Sequence, residues 1–218
     1  MTNIFIIRHG EVEYQFDSNG QKLMYRPETH LSDEGRTQLS SFANSLKDSG
    51  VKFDRLETSP FTRAVESSQI ISRIFGGVEI VENHAFSDSH VPGWFDVPIS
   101  VQHELMDHGE DIYLHPRSPD QEAYEHIAQR MLDGFNDVTK RCEGQTVAIV
   151  GHGDPIRLLL YRLGHPEGEI PNMSFLSKEG YLKRGEAYRV RVDNEGKVLE
   201  TELIASREGV PGQKELES

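Results

Sequence analysis

One cysteine, Cys142, is all the thiol chemistry the chain carries. An intrachain disulfide framework is therefore excluded, and a reducing compartment is the expected setting. Long apolar runs are also missing. No stretch approaches the roughly 20 apolar residues of a membrane span. The first apolar run, Ile4 to Ile7, is too short for a secretory leader and is followed by acidic residues. Positive charge is scarce: 23 Lys and Arg stand against 36 Asp and Glu, a formal net charge of -13. That balance argues against a general nucleic-acid or anionic-membrane binder. Repeats, low-complexity tracts and Pro/Gly/Ser-rich linkers are absent as well. The 218 residues suit one good-sized domain, expected over 1–205, with a polar tail over 206–218 expected to fray. A cytoplasmic protein is the reading.

Against this background the stretch Ile4-Phe5-Ile6-Ile7 stands out. An unbroken β-branched and aromatic run reads as a strand buried on both faces. Arg8, His9 and Gly10 follow at once. In open α/β sheets, ligands bind beyond the carboxyl ends of the strands. Thr146 to Val150 repeats the design and ends in Gly151-His152-Gly153. Between them, Phe53 to Thr58 reads as a strand, with Ser59 as cap and Pro60 as first residue of a helix that carries Arg63 in its first turn.

Helical patterning fills the intervals. Ser32 is the expected N-cap of a helix with Asp33 and Glu34 in its first turn and Leu39, Phe42, Ala43 and Leu46 on one face. Val78 to Val81 reads as a short strand. A long helix is expected from Pro119 to about Arg141, and another from the 151–155 turn to about Leu163. Two or three strands are expected within 172–204, with a turn at Asn194-Glu195-Gly196. Residues 83–118 are the least regular part, rich in His, Asp and Pro, with a short helix near 100–108. A loop of that length in a compact domain reads as a lid or substrate wall. The fold class is α/β: a three-layer α/β/α sandwich with a mostly parallel central sheet.

Two arginines, two histidines and helix N-termini gathered in one crevice suit a doubly charged phosphoryl group. Four segments carry a resemblance: Arg8-His9-Gly10-Glu11, Leu31-Ser32-Asp33-Glu34-Gly35-Arg36-Thr37-Gln38, Thr58-Ser59-Pro60-Phe61-Thr62-Arg63-Ala64, and Gly151-His152-Gly153. In this order they make the chain similar to the histidine phosphatase (phosphoglycerate mutase-like) superfamily. The resemblance implies that His9 is a nucleophile forming a phosphohistidine. It implies that Arg8, Arg63 and His152 hold the phosphoryl oxygens and stabilise the transition state, with no cofactor and no metal. It also places the proton donor at Asp88, within Ala85-Phe86-Ser87-Asp88-Ser89-His90-Val91-Pro92-Gly93-Trp94, where the family more often has Glu one residue closer to the glycine. His90, Glu82 and Glu11 are the other candidates.

Mutases of the family follow Arg-His-Gly-Glu with Ser or Thr and then Trp-Asn. Here the run is Val12-Glu13-Tyr14-Gln15, with Gln15 the candidate for the lost phosphate contact. The departure favours a metal-independent phosphomonoester hydrolase acting on a small phosphorylated substrate. A mutase using the same intermediate, and a non-catalytic phospho-ligand binder, remain the alternatives. His103 and His108 are five apart, not four, so they do not share a helix face as a zinc motif requires. Arg36 reads as a solvated helix residue. Loop histidines, with Trp94 and Phe95, are candidates for the substrate mouth.

Overall fold

In the computed structural model, which describes residues 1–205, β1 (Thr2–Arg8) lies at the centre of the sheet. The expected tail over 206–218 lies outside the described residues. β2 (Arg55–Thr58), β3 (Ile80–Glu82) and β4 (Thr146–Gly151) run parallel to it, and β5 (Ala187–Val192) and β6 (Val198–Ile204) close the sheet as an antiparallel edge. The order is β3-β2-β4-β1-β5-β6.

Alternation along β1 builds the layers. Phe5 and Ile7 bury against α1 (Asp33–Asp48) and α2 (Thr62–Ile74). Ile4 and Ile6 bury on the opposite face against α4 (Tyr124–Arg141) and α5 (Gly153–Gly164). Each such side chain contributes about 1.5–3 kcal/mol on removal from water. The result is the three-layer α/β/α sandwich. Between the main helices, α3 (Ile99–Asp107) and the one-turn α6 (Met173–Leu176) lie near the strand ends.

Residues 84–118 have a small core of their own. Val91, Trp94 and Ile112 are buried together, with Met24, Phe95, Val97, Val101 and Leu105 packed around them. Backbone bonds stitch this segment to the loop after β1: Met24 N–H donates to Val97 O and Ile99 N–H to Lys22 O. Trp94 is thus cap core rather than substrate mouth, because its ring is 1% exposed and its indole N–H is bound to His115 O.

Several expected boundaries move by a few residues, β2 beginning at Arg55 rather than Phe53, and in three cases a competing hydrogen bond is visible. α2 begins at Thr62, not Pro60: Ser59 N–H still donates to Val150 O, so residue 59 extends the sheet. α4 begins at Tyr124, because Glu122 N–H donates to His90 O and Gln121 binds Ile112 O. β3 begins at Ile80, because Ser72 Oγ donates to Val78 O and ties that residue to α2.

Candidate active site

The register of β1 and β4 makes the site. Arg8 lies opposite Gly151, and His9 N–H donates to Gly151 O. The histidines following these residues therefore leave the sheet side by side, with ring centroids 5.2 Å apart. Thr58 lies opposite Val150, which carries Ser59 and the α2 turn to the same edge. Gly10 has no room for a side chain: a Cβ there would stand 2.6 Å from Gly35 O. Gly35 is equally tight, 2.1 Å from Glu11 O. The backbone carrying His9 is thereby pressed onto the first turn of α1.

His9 is fully buried. Its Nδ1 lies 2.7 Å from Gly10 O, which can only accept, so this nitrogen carries the proton and donates. Nε2 is left with a free lone pair and no partner. Burial, and then the neighbouring Arg63, His152, Arg184 and Arg8, whose positive forms oppose a second charge, hold the ring's pKa well below its ordinary value, so it is neutral at pH 7. His152 is also buried. Its Nε2 lies 2.8 Å from Ser59 Oγ and its Nδ1 3.3 Å from Asp88 Oδ2. Burial pushes His152 down to about 3; Asp88 works against that shift, and Arg63, Arg8 and Arg130 add to it.

Arg63, 1% exposed, donates to Asp88 Oδ2 at 2.6 Å and to Arg26 O at 3.0 Å. Arg8 donates to Leu182 O and lies over the Tyr181 ring. Burial raises the pKa of the Asp88 carboxyl, but His152, Arg63 and the Ser89 N–H outweigh it, and the group sits below the ordinary carboxylate range. Before a ligand arrives, Asp88 is therefore an anion.

The structure thus brings Arg8, His9, Arg63, Asp88 and His152 together. Gln15 is not brought in. It is exposed, and its neighbour Tyr14 takes the cleft wall, because alternation in that loop turns the two side chains opposite ways. His90 pairs with Asp120 in the open, Glu82 is exposed, and Glu11 is bound to Arg184. Arg36 pairs with Glu66 away from the cleft. Among the described residues, no three His, Cys, Asp or Glu side chains converge as a metal-holding group.

Several site residues had no signal in the sequence. Arg184 is brought to Tyr14 and Tyr25 by the segment before β5 and is held by Glu11. Asp154 takes hydrogen bonds from Tyr113 at 2.7 Å and Tyr181 at 2.6 Å, and burial raises its pKa. Arg130 donates to the carbonyls of Ala85, Ser87 and Asp88, and Glu122 grips its other side. That fork fixes the backbone that carries Asp88. Above the two arginines and two histidines lies a cavity of about 690 Å³, walled in large part by the cap and by the loop after β1.

Comparisons with known proteins show the family and the fold. A family model described as "Histidine phosphatase superfamily (branch 1)" matches residues 4–195. The chain is 27% identical to "Uncharacterized phosphatase PhoE" of Bacillus subtilis over 169 residues, 77% of this chain and 81% of that one. It is 25% identical to the 2,3-bisphosphoglycerate-dependent phosphoglycerate mutase of Parvibaculum lavamentivorans over 224 residues, 95% and 99% of the two chains. Among solved structures, Bacillus stearothermophilus YhfR superposes with a TM-score of 0.72 at 20% identity, covering 95% of this chain and 96% of that one. The phosphoserine phosphatase of Entamoeba histolytica, solved with 3-phosphoglyceric acid, gives 0.70 at 19% identity, covering 95% and 98%. No helix among the described residues is long and apolar enough to cross a membrane.

Proposed function

Because the chain belongs to the histidine phosphatase superfamily, branch 1, we propose that it hydrolyses phosphomonoesters through a phosphohistidine on His9 and without a metal ion. The observation that carries this reading is the state of His9: neutral, Nδ1–H tied to Gly10 O, and Nε2 free among guanidinium groups. A nucleophile needs an unprotonated lone pair, and this ring keeps one.

In the first step the Nε2 lone pair attacks phosphorus and the bond to the leaving oxygen breaks. Arg8, Arg63 and His152 meet the charge on the equatorial oxygens, as fixed donors in a dry site do. The proton for the leaving oxygen passes through Asp88. As an anion, Asp88 takes it from the bound monoanion of the substrate, whose charge offsets the arginines that hold the carboxyl acidic. In the second step Asp88 removes a proton from water, the water oxygen bonds to phosphorus, and the N–P bond breaks. Asp88 returns that proton to the departing phosphate, alcohol and inorganic phosphate leave, and the enzyme is restored. Hydrolysis rather than return of the phosphoryl group is supported by Val12-Glu13-Tyr14-Gln15, which lacks the polar pair of the mutases.

The test is phosphate release from a phosphomonoester in the presence of chelator. Wild type is expected to turn over, His9→Ala to lose at least about a thousandfold in kcat, and quenched wild type to carry an acid-labile, base-stable phosphoryl label. Interconversion of phosphoglycerates without net hydrolysis would overturn the hydrolase reading. So would turnover that survives His9→Ala.

A further inference from the structure

The cavity divides its chemistry between its two sources of wall. The cationic groups come from the sheet side, as Arg8, Arg63 and Arg184, and each already has a partner: Leu182 O and Tyr181, Asp88, and Glu11 respectively. The covering segments supply the apolar part of the wall, namely Met24, Phe95, Ile99, Met106, Ile112 and Met173, beside a few uncharged polar groups such as Gln102 and Ser177. Among the lining residues the cap adds one basic side chain, His103, and it is exposed. The carboxylates in the wall are also engaged. Asp111 accepts from Tyr124 and Met173 N–H, and Asp154 from two tyrosines.

Ile99 and Met106 are the informative members. Both are half-buried on α3, both face the cavity, and neither belongs to the small core around Trp94 or to the sheet cores. Apolar side chains without a packing role, set along a cleft wall, are what an apolar ligand uses. The volume, about 690 Å³, exceeds the need of a three-carbon phosphoacid, and Arg184, the one arginine of the wall beyond the two that take the phosphoryl group, is already paired with Glu11.

From this wall we infer that the substrate is a phosphomonoester whose alcohol is bulky, uncharged and largely apolar, such as a medium-chain alkyl or arylalkyl group. A short alcohol bearing a carboxylate does not fit the wall. The inference rests on the chemistry proposed at His9 and adds the identity of the leaving group. Binding energy from the apolar body would be available to hold phosphorus in line with Nε2.

The experiment uses primary-alkyl phosphates, so that leaving-group basicity stays nearly constant: ethyl, hexyl and 2-(1-naphthyl)ethyl phosphate beside 3-phosphoglycerate. For wild type, kcat/KM is expected to rise roughly a hundredfold from ethyl to hexyl, with 3-phosphoglycerate no better than ethyl. Met106→Glu should flatten the rise to less than about tenfold. A flat wild-type series, or 3-phosphoglycerate as the best substrate, would overturn the inference. Calorimetric binding of the same phosphates to His9→Ala separates it from the hydrolase reading. Tightening along the series without wild-type turnover keeps the ligand class and sinks the hydrolase. Equal affinities, or no binding, sink the ligand class.

Discussion

The hydroxyl of Ser59 lies 2.8 Å from His152 Nε2 and also accepts from Phe61 N–H. The other ring nitrogen, Nδ1, has no hydrogen-bond partner and lies 3.3 Å from the Asp88 carboxylate, which favours a proton there; with that proton on Nδ1, free to meet a ligand, Ser59 donates to Nε2. Ser59 therefore acts through His152, as a positioning residue. Ser59→Ala is expected to lower kcat about tenfold, the worth of one hydrogen bond. Ser59→Thr should restore it. In a His152→Asn background the same change should cost much less, and a double-mutant cycle reads the difference.

Asp88→Asn separates proton transfer from phosphoryl transfer. An alkyl phosphate needs its leaving oxygen protonated, while a nitrophenyl phosphate does not. In kcat/KM, which reports the first phosphoryl transfer and not the later attack of water, the variant is expected to lose about a hundredfold or more with alkyl phosphates and no more than about tenfold with nitrophenyl phosphate, from the disturbed Arg63 pair alone. Equal losses on both would mean that Asp88 only braces Arg63.

Arg130 gives a prediction for stability and activity together. Arg130→Met leaves the carbonyls of Ala85, Ser87 and Asp88 without their donor and Glu122 with only the His90 N–H. Loss of about 2–3 kcal/mol in denaturant unfolding is expected. Activity toward alkyl phosphates should fall further than activity toward nitrophenyl phosphate, because the acid's backbone has lost its clamp.

The two buried histidines set an acid limit. Both have folded pKa values below the unfolded value of about 6.5, with His152 at about 3. Below about 6.5 the unfolded chain takes up protons that the folded chain refuses, so stability present above that pH is lost as pH falls. For His152 the window runs from about 6.5 down to about 3, with a slope near 1.4 kcal/mol per pH unit. His152→Asn should remove that share of the slope in unfolding titrations between about pH 4 and about pH 6. An unchanged slope would place the acid sensitivity elsewhere.

Sequence made the floor of the site legible and left most of its walls unreadable, for a physical reason. His9 and His152 each follow an apolar strand, and parallel pairing turns that shared grammar into adjacency. Gly10 and Gly35 stand in two of the matched segments, and their backbones meet. Arg184 lies in no periodic element and reaches the cleft only because β5 pairs antiparallel with β1. Tyr14 and Gln15 were separable only by which side chain turns inward. Ser59 had the signature of a helix cap, but its N–H stayed with the sheet and its hydroxyl went to a histidine.

The separate burial of Val91, Trp94 and Ile112 reaches beyond this molecule's own substrate. A roof that folds around its own tryptophan, and is stitched by backbone to the loop beneath it, can change the residues on its underside while the floor keeps its geometry. Selectivity and reactivity then reside in different layers of one polypeptide, and drift in the former need not endanger the latter.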